Sequence, residues 1–129
     1  MPTSTTHPEC GAVPANLAGT YTTETKADEL PPEVADMQVG TWELTLGPGH
    51  KLVVLAPQGN EIDLSPACVR GRQIAVAEEP AGGACAGYGP GFYEWALRGD
   101  DLVWMKVRER CVDRAYNFTA HPWRRKVSR

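Results

Sequence analysis

The chain has 129 residues, and a chain of this length can bury roughly two thirds of its unfolded surface, so one domain with one core is expected. Its formal net charge is −3, and the basic residues are scattered apart from a run at 124–126, which argues against a nucleic-acid partner. No apolar run approaches the ~20 residues of a membrane-spanning helix, so no membrane span is predicted.

The N-terminal residues predict an arm, because residues 1–16 are rich in proline, serine and threonine. Cys10 is the residue expected to hold this arm in place. Residues 1–14 lack the basic start and apolar middle of a signal peptide, so either the chain is cytosolic or a leader has been removed from it. A single folded domain is expected over residues 17–125, followed by a short tail over residues 126–129.

Eight runs downstream of the arm have the composition of β-strands, and glycine or proline interrupts the chain between them. They cover residues 19–25, 41–46, 51–56, 61–64, 73–78, 92–98, 102–108 and 114–121. Between the first two runs, Pro31-Pro32 followed by Glu33 predicts one or two helical turns, with proline at the start and an acidic group near the positive end of the helix dipole. Short strands at regular spacing indicate an all-β sandwich or barrel.

The run 41–46 shows the clearest period of two. Trp42, Leu44 and Leu46 alternate with threonine and glutamate, as in a sheet that is wet on one side. We therefore expect Trp42 to be buried.

The runs 92–98 and 102–108 predict one β-hairpin, because Gly99-Asp100 between them favours a tight turn. Tyr93, Trp95 and Leu97 share the apolar face of the first strand and are expected to point inward. In the second strand both faces carry apolar groups. We place the face of Met105 inward, which puts Trp104 outside.

The last predicted strand, 114–121, carries Tyr116 and Phe118 on one face. In a closed barrel these two side chains point inward if Asn117 is to face solvent.

Four cysteines allow three disulfide pairings, and none of them belongs to a CxxC motif, which argues against a metal site. Cys85 and Cys111 flank the two ends of the predicted hairpin, so we favour their pairing, which leaves Cys10 to pair with Cys68. Four buried free thiols are the alternative, because a cytosolic chain would be kept reduced. The protein is expected to be secreted or on the cell surface if the disulfides form, and cytoplasmic otherwise.

The segments "GTYTTE", "GTWELTL", "GFYEWALRGDDLVWMKV" and "CVDRAYNFTAHPWRR" resemble the calycin superfamily of lipocalins and fatty-acid-binding proteins, and most closely small lipocalin-like proteins of actinobacteria. The resemblance implies an eight-stranded up-and-down antiparallel barrel with a short helix between the first two strands. In lipocalins a tryptophan on the first strand closes one barrel end under a late arginine. Tyr21 and Trp42 are the two candidates for the aromatic position here, and Arg124 and Arg125 are the two candidates for the cation.

An eight-stranded barrel either fills its interior with side chains or holds one small ligand. We expect a small, mostly apolar molecule to bind inside, with no cofactor, in a protein that is a monomer or a weak dimer. The predicted ligand-binding residues are the large side chains assigned to the interior: Trp42, Tyr93, Trp95, Leu97, Met105, Tyr116 and Phe118.

Catalysis has less support in the sequence, which has no GxSxG motif, no HExxH motif and no phosphate-binding glycine loop. Glu43, Glu94 and Asp113 are acid or base candidates, but strand alternation puts the two glutamates outside. His121 is a candidate haem ligand, although Pro122 after it indicates the end of a strand. A cofactor-independent cyclase or isomerase acting on a polyketide-like or terpenoid-like substrate in the same cavity is the alternative function, because positioning alone can lower such a barrier. A packed barrel that acts as an interaction module is a third.

Overall fold

The structure of the protein is a computed structural model that describes residues 10–126. Within these residues the chain forms nine strands and one α-helix: β1 Gly19–Thr25, β2 Gly40–Leu46, β3 Leu52–Leu55, β4 Glu61–Asp63, β5 Cys68–Arg70, β6 Gln73–Val76, β7 Gly91–Arg98, β8 Asp101–Arg108, α1 Val112–Thr119 and β9 Trp123–Arg125. Two short 3-10 turns, Ala27–Glu29 and Pro32–Val34, occupy the segment where the sequence predicts helical turns.

All nine strands belong to one antiparallel sheet with the order β4-β3-β2-β1-β9-β8-β7-β6-β5. The edge strands β4 and β5 are consecutive in the chain, and only residues 64–67 join them. Four residues span at most about 14 Å, so the sheet has to curl until its two edges lie near each other. Backbone hydrogen bonds from Ala67 to His50 (2.8 Å) and from Ala77 to Leu64 (3.0 Å) cross the remaining gap. The result is a curled antiparallel half-barrel, and the all-β prediction is confirmed.

The prediction of a last strand over residues 114–121 is wrong, because residues 112–119 form helix α1. The sequence also misses two short strands, β5 and β9, so that the sheet has nine strands where eight are predicted. In α1 the buried residues are Arg114 and Phe118, four positions apart and therefore on one helix face. Tyr116 and Phe118 are two positions apart, which is the spacing expected of a strand. The residue that is buried together with Phe118 is Arg114, and a search for apolar residues does not find it.

The core lies on the inner face of the curled sheet. The alternation predicted for β2 is confirmed, since Trp42, Leu44 and Leu46 are all buried there. Helix α1 closes over the other part of this face, where the Phe118 ring stacks on Trp104 with their centroids 4.3 Å apart. Trp123 of β9 is completely buried beside Phe118. The interior is therefore filled over much of its length by aromatic side chains.

The described part of the N-terminal arm runs along the edge of β5. The Val69 amide donates to Gly11 O (2.8 Å), the Val13 amide donates to Gly49 O (2.7 Å), and Cys10 pairs with Cys68. These contacts cover an edge strand whose free backbone groups would otherwise face solvent. The arm up to residue 9 and the tail from residue 127 lie outside the described residues.

Candidate functional site

A cavity of about 300 Å³ lies between the inner face of β2–β4 and helix α1. Its apolar wall is built from the inward side chains of the three strands and from the helix: Trp42, Val54, Ile62, Leu64 and Phe118. Period-two alternation puts Trp42, Val54 and Ile62 on this face, while the helical turn at 112–119 brings Phe118 over them.

The rim of the cavity is polar, and three of its four charged residues are acidic: Asp36, Glu79 and Asp113 against Arg114. Lost solvation on burial, followed by the repulsion of the Asp36 carboxylate, raises the pKa of Asp113 above its usual value. Asn117 also lines the cavity, and its Oδ1 atom is buried without a hydrogen-bond partner among the described residues. The site thus combines an apolar wall with hydrogen-bonding groups at the rim.

The Trp42 indole is fixed in place by a short chain of hydrogen bonds. Trp42 Nε1 donates to Thr25 Oγ1 (3.0 Å), and Thr25 Oγ1 donates to Gln38 O (2.7 Å). Gln38 is held in turn, because its Nε2 donates to Asn60 Oδ1 at 3.0 Å. Both Gln38 and Asn60 lie on the cavity rim, so the wall and this part of the rim are ordered before any ligand arrives.

Helix α1 is anchored by a buried ion pair that adjoins the cavity. Arg114 Nε and Nη2 each donate to one oxygen of Glu109 at 2.7 Å, and both side chains are almost completely buried. Nη2 also donates to Gly89 O (2.7 Å), and the Tyr93 hydroxyl donates to Glu109. Burial, with a further contribution from the hydrogen bond to Glu109, raises the pKa of Tyr93 far above its usual value, so the phenol stays protonated. The pair fixes the helix that carries Phe118.

The structure brings two of the predicted ligand-binding residues, Trp42 and Phe118, to the cavity. Tyr93 is buried in the core, where its ring meets Phe118 edge-on, and Trp95 and Leu97 pack partly buried against that core. Tyr116 lies where its hydroxyl reaches Glu29 O at 3.4 Å, on the outer side of the helix.

The predicted orientation of β8 is wrong. Met105 is 45% exposed and faces outward, whereas Trp104 is 3% exposed and faces the core. The physical reason is α1, whose Phe118 stacks on the Trp104 ring and so decides between two faces that are both apolar in sequence.

Three buried residues are not predicted from the sequence: Glu109, Arg114 and Trp123. The first two are charged and their burial depends on each other, so no hydrophobic pattern marks them. Two features of the sequence after Cys111 do indicate a helix. Arg114 and Phe118 are four positions apart, and Asp113 supplies an acidic group in the first turn.

Of the four predicted closure residues, the structure brings Tyr21 and Arg125 together. The guanidinium lies 4.8 Å from the centre of the Tyr21 ring, and Arg125 Nη2 donates to the Tyr21 hydroxyl at 2.7 Å. The side chain of Arg124 is 72% exposed and lies 3.6 Å from Asp101. Trp42 is buried as expected, but its indole donates to Thr25 rather than packing under an arginine.

A second concavity, of about 800 Å³, lies on the opposite face of the sheet over β5–β8. The register aligns Cys68, Ala75, Phe92 and Arg108 in one row, and their outward side chains line this groove. It is larger than the inner cavity, its lining is more apolar, and both concavities are partly open to solvent. The inner cavity differs from the groove in its buried aromatic wall of Trp42 and Phe118 and in the hydrogen-bonding groups at its rim.

The candidate acids and bases lie apart from one another. Glu43 pairs with Lys126 (2.8 Å) at the surface, and His121 Nε2 lies 3.0 Å from Glu29 Oε1. Among residues 10–126, one group of three potential metal ligands, Cys10, His50 and Cys68, has its ligand atoms within 4.8 Å of one another.

Comparison with known proteins finds no match to a protein-family model, to a curated protein or to a solved structure. In the part of the chain that the structure describes, no helix has the length and apolar character needed to cross a membrane.

Proposed function

We propose that this protein binds a small, mostly apolar molecule non-covalently in the cavity between β2–β4 and α1. The observation that carries the proposal is the cavity itself, with its aromatic wall of Trp42 and Phe118 and its polar rim. Its volume of about 300 Å³ is at the lower end of the range for ligand pockets, which favours a compact molecule over a long acyl chain.

Two further observations support the proposal. The hydrogen-bonded chain through Trp42, Thr25 and Gln38 sets the wall in advance, which lowers the ordering cost of binding. The curled antiparallel sheet and the stacking of Arg125 on Tyr21 support kinship with lipocalin-like proteins, which we propose together with the binding function. The two cysteine pairs favour a location outside the cytoplasm.

A neutral apolar dye such as N-phenyl-1-naphthylamine tests the proposal, because the acidic rim disfavours an anionic dye. We expect it to bind the folded protein at micromolar concentration and to change the tryptophan fluorescence. Ile62→Trp fills the cavity from its strand wall and is expected to weaken dye binding at least tenfold. Val107→Trp changes the outer groove instead and is the matched control, expected to leave the affinity unchanged.

Near-UV circular dichroism of each variant establishes that it is folded. If Val107→Trp abolishes binding and Ile62→Trp does not, the molecule binds in the outer groove and the cavity assignment is wrong. If the folded wild-type protein binds no neutral apolar probe at all, the binding function is wrong.

A further inference from the structure

The Cys10–Cys68 pair lies at a junction of three chain segments. Cys10 belongs to the N-terminal arm, Cys68 begins β5, and His50 lies in the turn between β2 and β3. The arm is held against both neighbours by its backbone, through Gly11 O to the Val69 amide and through the Val13 amide to Gly49 O. These hydrogen bonds help to hold the three segments beside one another.

The His50 ring lies beside the Cys10–Cys68 pair. Its Nδ1 atom lies 3.8 Å from Cys10 Sγ and 3.0 Å from Ala67 O. In a tetrahedral zinc site with Zn–S and Zn–N bonds of about 2.3 and 2.0 Å, neighbouring ligand atoms lie roughly 3.3 to 3.8 Å apart. The imidazole therefore already lies at ligand distance from one sulfur, and all three ligand atoms lie within 4.8 Å of one another.

We propose that the dithiol form of Cys10 and Cys68, together with His50, binds a divalent cation of the zinc class. Two thiolates and one imidazole supply three of four tetrahedral ligands, and water completes the site. The same two sulfur atoms then tether the arm in both redox states, by a covalent bond when oxidised and through the metal when reduced.

Reduction of the Cys10–Cys68 bond consumes one phosphine and one water molecule. A phosphine takes up the oxygen of one water molecule and becomes the phosphine oxide, while the S–S bond gains two electrons and two protons and becomes two thiols. Metal binding then releases the two thiol protons. In the tautomer with hydrogen on Nδ1, His50 donates to Ala67 O; in the metal-bound form that hydrogen moves to Nε2, and Nδ1 becomes the ligand.

The protein carries its own control in the second cysteine pair. Cys85 and Cys111 are 1% and 4% exposed, whereas Cys10 and Cys68 are partly exposed. Within the described residues, no three-ligand group contains Cys85 or Cys111. A limiting amount of phosphine is therefore expected to reduce the Cys10–Cys68 pair first, and a count of two free thiols per chain verifies this.

The experiment adds Co²⁺ to the selectively reduced full chain and follows the thiolate-to-cobalt charge-transfer band. We expect one cobalt ion per chain, displaced by zinc, and none in the oxidised protein. His50→Ala is expected to weaken binding at least tenfold, because it removes one of three protein ligands. His121→Ala, at a histidine that lies beside Glu29, is the matched control and is expected to bind as the wild type does.

The proposal is overturned if His50→Ala binds cobalt as tightly as the wild type, or if Cys10→Ser/Cys68→Ser still shows the band. It is also overturned if the reduced wild type keeps its near-UV dichroism and binds no cobalt. Should reduction itself disorder the chain, zinc is expected to restore the near-UV dichroism of the wild type but not of His50→Ala, and failure to restore it counts against the site.

Discussion

At the scale of single residues, Glu109–Arg114 is the one ion pair among residues 10–126 in which both side chains are buried. Each charge is stable in the interior only because the other is there, since an unpaired buried charge costs several kcal/mol. Burial by itself would raise the pKa of Glu109, but the hydrogen bonds from Arg114 and Tyr93 outweigh it and hold the pKa below its usual range. The carboxylate is therefore ionised in the folded protein wherever it is ionised in the unfolded chain.

This pair makes a prediction about mutation and pH. Glu109→Gln leaves the Arg114 charge unpaired and is expected to cost about 3 to 5 kcal/mol of unfolding free energy, whereas Glu109→Gln/Arg114→Met is expected to cost less than the single change.

Because the folded pKa of Glu109 is depressed, its stabilisation is fully present above the unfolded pKa and is lost as the pH falls through the folded value. Urea unfolding between pH 7 and pH 3 is expected to show a steeper acid loss in the wild type than in Glu109→Gln. The pairing would be contradicted if the unfolding free energy fell equally steeply with pH in the wild type and in Glu109→Gln. It would also be contradicted if the double variant were less stable than Glu109→Gln.

At the scale of elements, β9 is the short strand that joins the two halves of the sheet. It pairs with β1 and β8 through only two residue pairs each, so side-chain contacts have to supplement its backbone hydrogen bonds. Arg125 makes those contacts by donating to Ala18 O and Asn16 O at 2.9 Å and by stacking on Tyr21. The adjacent Arg124 points the other way into solvent.

The two adjacent arginines therefore provide a matched pair of variants. Arg125→Ala is expected to cost about 2 to 4 kcal/mol, because it removes several charged hydrogen bonds and a cation–π contact. Arg124→Ala is expected to change stability by no more than about 0.5 kcal/mol, as for other exposed ion pairs. Chemical denaturation of both variants measures the difference. Similar losses from the two would show that the β1–β9 junction does not depend on Arg125.

The elements also show how far the sequence leads. Period-two alternation in β2 and the Gly99-Asp100 turn between β7 and β8 are local signals, and the structure agrees with both. Helix α1 and the orientation of Trp104 depend on contacts between distant segments: Arg114 is buried because Glu109 is, and Trp104 faces inward because Phe118 covers it. The acidic rim of the cavity combines Asp36, Glu79 and Asp113 from three separate loops and elements, which no single stretch of sequence reveals.

At the scale of the whole molecule, the two cysteine pairs act on different parts of the half-barrel. Cys85–Cys111 links the loop before β7 to the start of α1 and so encloses the β7–β8 hairpin, with a sequence separation of 26. Cys10–Cys68 has a separation of 58 and ties the arm to an edge strand. Loop entropy alone predicts a somewhat larger contribution from the longer loop, roughly 4 against 3.5 kcal/mol.

We expect the folded state to reverse that order. Without Cys10–Cys68, residues 10–12 can detach while the core stays intact, because the next buried positions are Val13 and Leu17. The conformational entropy that this segment regains offsets part of the lost stability, so Cys10→Ala/Cys68→Ala is expected to destabilise the protein less than Cys85→Ala/Cys111→Ala.

Native-state hydrogen exchange distinguishes local opening of the arm from global unfolding. In Cys10→Ala/Cys68→Ala, the Val69 amide, which donates to Gly11 O, is expected to lose its protection from hydrogen exchange. The Leu44 amide of β2 is expected to keep its protection. In the second variant both are expected to lose protection together, because opening is then global. If the arm variant lowers the protection of Leu44 and Val69 equally, the arm is an integral part of the cooperative core.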